Sequence, residues 1–154
     1  MKTSFWSSIV FVSMMTLFAF GSGSSAQKSF GIGFMFGEPN GISAINWLGR
    51  DNALHFGLGF RTGHEGYIRG HFDYTWNFDL LPIRSGRMPF YVGLGLKTRI
   101  PGEVNVAARI PLGIDYIFAR APIDVFLEIV PTIGIIPGTD WSSVDAALGA
   151  RFYF

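Results

Sequence analysis

The chain contains no cysteine, which excludes disulfides, thiolate metal sites, thiol nucleophiles and a lipid anchor on cysteine. Charge is scarce, at 15% of 154 residues, and the formal net charge of +1 offers no basic surface for nucleic acid. After residue 26 no run of about 18 apolar residues occurs, so no transmembrane helix is expected. Histidine is limited to three positions, His55, His64 and His71, too few and too poorly supported by other donors for a metal site. No cofactor motif is present. The G-x-G pairs Gly31-Gly33, Gly57-Gly59 and Gly93-Gly95 open no helix, so they cannot be phosphate loops.

What the chain has in quantity is glycine (20), phenylalanine (16) and a hydrophobic fraction of 49%. The first 26 residues stand apart. Lys2 supplies a positive start, 5–20 is mostly apolar, and 21–26 is small and polar. This is the three-part pattern of a secretory signal peptide, with cleavage expected after Ala26. The apolar part is short for a span and is interrupted by Ser7, Ser8 and Ser13.

Residues 27–154 read as one domain of alternating segments separated by turns. Phe30, Ile32, Phe34 and Phe36 alternate with glycines and Met35. Leu54, Phe56, Leu58 and Phe60 alternate with His55, Gly57, Gly59 and Arg61. Ile68 to Leu80 sets an apolar row against Arg69, His71, Asp73, Thr75, Asn77 and Asp79. Further alternating segments cover 89–100, 104–118, 123–135 and 144–154. Glu38-Pro39-Asn40-Gly41, Thr62 to Gly66, Pro101-Gly102 and 137–142 supply turn chemistry. With 42–48, whose faces the pattern leaves open, this makes eight strands. Residues 27–154 average 16 per strand and turn, which accommodates the roughly 9–11 residues a membrane strand needs. The expected fold is all-β: an eight-stranded antiparallel up-and-down transmembrane barrel.

A soluble barrel alternates too, with the apolar face inward. Here the glycines fall on the polar face, at positions 31, 33, 57, 59, 93, 95, 113, 134 and 149. Glycine weakens a strand unless space is short. The interior of an eight-stranded barrel is just wide enough for side chains to fill it. The polar face is therefore read as the inside. It receives Arg61, Arg69, Lys97, Arg99, Arg109 and Arg151, together with Asp73, Asp79, Asp115, Asp124, Glu128 and Asp145. Balanced signs predict a paired charge network and a closed lumen, since an ion-selective pore lining favours one sign. Turn positions place His55 opposite Asp73 and Glu128 beside Arg151. On the outer face, Phe30, Trp76, Phe78, Phe90, Tyr116, Phe118, Phe152 and Phe154, with Trp47, form an aromatic belt at the end bearing the termini.

The signal pattern, the eight strands and the ending G-A-R-F-Y-F resemble the small outer-membrane barrels of the OmpA/OmpX type. Gly37 to Ser43 (G-E-P-N-G-I-S) and Arg109 to Pro131 are similar to stretches in a family of short, uncharacterised outer-membrane barrel proteins. The resemblance implies residence in the outer membrane, contact with its lipid, and a monomer. It also implies recognition by the barrel-assembly machinery through Phe152 and Phe154, and a structural role in the envelope. Alternatives are a narrow pore, an adhesin-like binder of surface ligands, or a lipid-modifying enzyme. The connections read as external are short, which disfavours an adhesin. No serine lies two residues after a histidine, the spacing expected of barrel deacylases, so no catalytic residue is assigned.

Overall fold

The computed structural model describes residues 29–37, 40–61, 66–81, 83–100, 105–138 and 142–154. The leader 1–26, His64 and Trp141 lie outside them, as does the Arg61 side chain. The described residues form strands β1 (Phe30–Gly37), β2 (Gly41–Trp47), β3 (Asn52–Arg61), β4 (Tyr67–Asp79), β5 (Gly86–Arg87), β6 (Pro89–Ile100), β7 (Asn105–Arg109), β8 (Leu112–Phe118), β9 (Ile123–Ile136) and β10 (Ser142–Tyr153). All pairings are antiparallel.

Two of the ten segments are interruptions rather than extra strands. β7 and β8 share one register against β6 and one against β9. Pro111 separates them, because proline has no N–H to give to the ladder. The ladder is carried across the gap by Gly93 N–H donating to the Pro111 carbonyl at 2.9 Å and Ile110 N–H to the Pro131 carbonyl at 3.0 Å. β5 continues β6 backwards along β8, with Gly86 opposite Phe118 and Arg87 opposite Ile117. The connection after β4 is thus partly a strand end. Order along the sheet follows the chain, and β10 pairs with both β9 and β1.

Burial alternates with period two and is inverted relative to a soluble domain. Along β9 the buried residues are Asp124, Phe126, Glu128, Val130, Thr132 and Gly134, while Val125, Leu127, Ile129, Ile133 and Ile135 are exposed. On β10 Asp145, Ala147, Gly149, Arg151 and Tyr153 are buried. The largest fully buried side chains include two arginines, Arg109 and Arg151, whereas Phe34, Leu94 and Leu127 are more than half exposed. Arginine is seldom fully buried unless paired, and a continuous apolar exterior is unusual for a protein in water.

The same pattern resolves β2. Ser43 and Ile45 point inward and Ile42 outward. Trp47 shares the inward face, so its expected place in the outer belt is corrected. It packs against the buried cluster of Ile45, Ala53 and Tyr153, and its Nε1 donates to Tyr153 Oη at 3.0 Å. An indole N–H finds a fixed acceptor there, which a lipid-facing site would not provide.

Candidate functional site: a charged interior

The interior is organised in tiers of ion pairs. Nearest the end with the termini, Arg151 projects from β10. Its Nε donates to both oxygens of Asp124, directly opposite on β9, at 3.0 and 3.1 Å. Its Nη2 donates to Asp115 of β8 at 2.5 Å. The guanidinium lies 4.4 Å from the centre of the Phe126 ring. Tyr153 Oη donates to Asp124. All three ionised groups have buried side chains, so each must be paired to be tolerated.

At mid-height Arg109 of β7 pairs with Asp73 at 2.9 Å and with Glu128 at 3.4 Å. Tyr91 Oη donates to the other Glu128 oxygen at 3.0 Å, and its ring packs 5.0 Å from that of His55. Toward the opposite end, Lys97 of β6 donates to Asp145 of β10 at 2.6 Å. These two strands are not neighbours, so this pair reaches across the interior. His71 Nε2 stands 3.9 Å from Asp73.

Glycines make room for these side chains. A Cβ at Gly57 would meet the His71 ring at 2.0 Å, one at Gly95 the Asp73 carboxylate at 1.8 Å, and one at Gly113 the Tyr91 ring at 2.4 Å. A Cβ at Gly149 would meet the Phe126 ring at 2.5 Å. Large and small residues face one another across strands, which is how a narrow interior is filled.

The expected register of His55 opposite Asp73 is the observed one. The expected Glu128–Arg151 pair is not. The β9–β10 hairpin pairs Ser142 with Ile133, so Glu128 faces Ala147 and Arg151 faces Asp124. Glu128 is instead taken by Arg109 and Tyr91.

Two other residues assigned to the interior lie at its ends. Asp79 is exposed and receives Arg87 Nε at 2.7 and 2.8 Å, with Arg50 at 3.7 Å. Arg87 also donates to the Arg50 carbonyl at 2.6 Å and lies over the Trp47 ring at 5.1 Å. These contacts form a clasp over the end that bears the termini. At the opposite end, Arg99 is exposed. It stacks on Tyr67 at 4.0 Å, with half-buried Arg69 also over that ring at 4.7 Å. Their inward parity is as expected, but the strands run past the packed interior there. The clasp was not legible in sequence, because it joins the turn at Arg50 to the Asp79–Arg87 segment, with Arg87 37 positions further along the chain.

Among the described residues no group of three His, Cys, Asp or Glu side chains is placed to hold a metal ion. The acids that could serve as ligands are already engaged by Arg109, Arg151, Lys97 and Arg87.

The fold and interior together define an all-β, antiparallel, up-and-down sheet protein with an apolar exterior and a salt-bridged polar interior. No family model matches the sequence, and no curated protein compared with it matches either. A solved structure does share the fold: the N-terminal β-barrel domain of Pseudomonas aeruginosa OprF. It is 19% identical, with a TM-score of 0.65, covering 84% of this chain and 100% of that one.

Proposed function

We propose that the chain is an integral outer-membrane protein whose residues 27–154 close as an eight-stranded barrel around a sealed, salt-bridged lumen. Its role in this reading is structural maintenance of the envelope. The observation that carries the reading is the inversion of polarity. Arg109, Arg151, Asp73, Asp115 and Asp124 have at most 2% of their surface open to a water-sized probe, while rows of Phe, Leu and Ile face out. An aqueous channel would wet its lining. Here Tyr91, Phe126 and the ion pairs fill that space.

Strand geometry supports closure. From Gly31, successive partners are Ile45, His55, Asp73, Gly95, Arg109 and Thr132, then Ser143 on β10. Yet the direct β10 partner of Gly31 is Tyr153, ten residues further on. Eight strands with that stagger tilt by roughly 40° from the barrel axis, within the range of membrane barrels. Counting β5 with β6 and β7 with β8, every strand then has two neighbours. No edge is left unsatisfied in lipid.

In this reading residues 1–26 are removed on export. Phe152 and Phe154 face outward and serve as the insertion signal for the assembly machinery. The test is reconstitution in a planar bilayer, with insertion verified by protection of the strands from protease. The expected record shows no steady single-channel steps; regular unitary steps would replace the sealed lumen with a pore.

A further inference from the structure

Most cations among the described residues have an anionic partner in the fold: Arg50 and Arg87 on Asp79, Lys97 on Asp145, Arg109 on Asp73 and Glu128, Arg151 on Asp115 and Asp124. Arg84 and Arg120 have none among the described residues, and Arg99 rests instead on the Tyr67 ring. Both are exposed, and they line one open cavity of about 380 Å3 together with Ser85, Phe118, Ala119 and Ala121. No described residue of this lining is acidic.

The cavity is built on a fixed frame. Arg84 belongs to the connection 80–88 and Arg120 to 119–122, both at the end that bears the termini. Ala119 N–H donates to the Ser85 carbonyl at 3.1 Å, and the Ser85 and Tyr116 hydroxyls are hydrogen-bonded at 2.7 Å. Gly86 and Arg87 pair with Phe118 and Ile117, and Arg87 is anchored on Asp79. The two guanidiniums are therefore carried on backbone that is already ordered, which lowers the cost of binding. Phe118 borders the cavity and is 42% exposed. Its ring packs edge-on against Tyr116 at 4.7 Å, within the outward aromatic row. Rings of such a row lie at headgroup depth, which sets the cavity level with lipid phosphates.

We infer that Arg84 and Arg120 form a binding site for the phosphate of an anionic phospholipid in the periplasmic leaflet, with Phe118 against the lipid's glycerol and upper acyl region. Guanidinium forks match phosphate oxygens in charge and geometry, and the Ser85 hydroxyl lies within the same cavity. The inference rests on the membrane reading above, which supplies the lipid.

The experiment is native mass spectrometry of the detergent-purified protein titrated with dioleoyl phosphatidylglycerol. Dioleoyl phosphatidylcholine and inorganic phosphate are the parallel arms. The variants are the double Arg84→Gln/Arg120→Gln and, as a charge control at the opposite end, Arg99→Gln. Circular dichroism verifies the fold of each. One phosphatidylglycerol is expected to stay bound to the wild type and to R99Q, and to bind at least about tenfold more weakly to the double variant. Equal binding by all three proteins would overturn the site. Inorganic phosphate binding as tightly as phosphatidylglycerol would overturn the lipid assignment in favour of a free anion. Phosphatidylcholine binding as tightly as phosphatidylglycerol would overturn the anionic preference. Failure of the membrane reading is separately visible, because the wild type would then not insert into vesicles at all.

Discussion

Arg151 stands directly across the β9–β10 ladder from Asp124 and holds both of its carboxylate oxygens, at 3.0 and 3.1 Å. The same guanidinium reaches Asp115 one strand further round, so one cation neutralises two buried anions. Replacing Arg151 with methionine keeps the bulk and removes the charge. Breaking a buried pair from one side costs about 3–5 kcal/mol, because the abandoned carboxylates stay buried. Urea titration of the vesicle-inserted protein, followed by tryptophan fluorescence, should show that loss. Adding Asp115→Asn to Arg151→Met should recover part of it.

Gly113 and Tyr91 form a small-against-large pair that fills the middle of the interior. Gly113→Val would force side-chain atoms into the Tyr91 ring, since even a Cβ lies 2.4 Å from it. Overpacking of this kind costs about 1–3 kcal/mol. The double variant Gly113→Val/Tyr91→Ala should be more stable than the sum of its singles. Additive losses in a double-mutant cycle would show that the two side chains do not compete for one space.

Ile129 lies half-way along β9 and is 53% exposed. On a water-facing surface, Ile129→Arg would change stability by less than about 0.5 kcal/mol. At the bilayer midplane it should cost about 2–4 kcal/mol. Equilibrium folding into vesicles, compared with Glu128-side neutral controls such as Thr132→Ser, distinguishes the two environments.

Tyr91 and Phe126 are large, buried in the interior, and carry no charge of their own. The double variant Tyr91→Ala/Phe126→Ala should vacate enough volume near the Arg151 and Arg109 tiers to admit water. Planar-bilayer recordings are expected to stay silent for the wild type and to show small unitary steps for this variant. Silence in both would place the seal elsewhere, with the ion pairs themselves or with the Arg87–Asp79 clasp as the remaining barriers.

Outside 42–48, sequence alone determined which residues face in and which face out. A strand alternates with period two, so parity carries that information locally. Asp124, Phe126, Glu128 and Thr132 could be assigned inward from one segment. The glycines at 57, 95, 113 and 149 marked the crowded face because only crowding explains them there. Short turns even fixed one register, His55 against Asp73.

Which interior groups meet is a property of the whole sheet, and only the tertiary structure decided it. The stagger accumulated from strand to strand sets the height of each residue. A register shift of four residues along β9 in the last hairpin moves Arg151 from Glu128 to Asp124. The approach of β6 to β10 across the interior, which joins Lys97 to Asp145, has no local signature. Asp79 and Arg99 show the same limit: parity gave each its face, but its depth depended on where neighbouring strands end. For Trp47 even the face was decided only by its packing against Tyr153. Local alternation chooses a side, while hydrogen-bond register and strand length choose a partner.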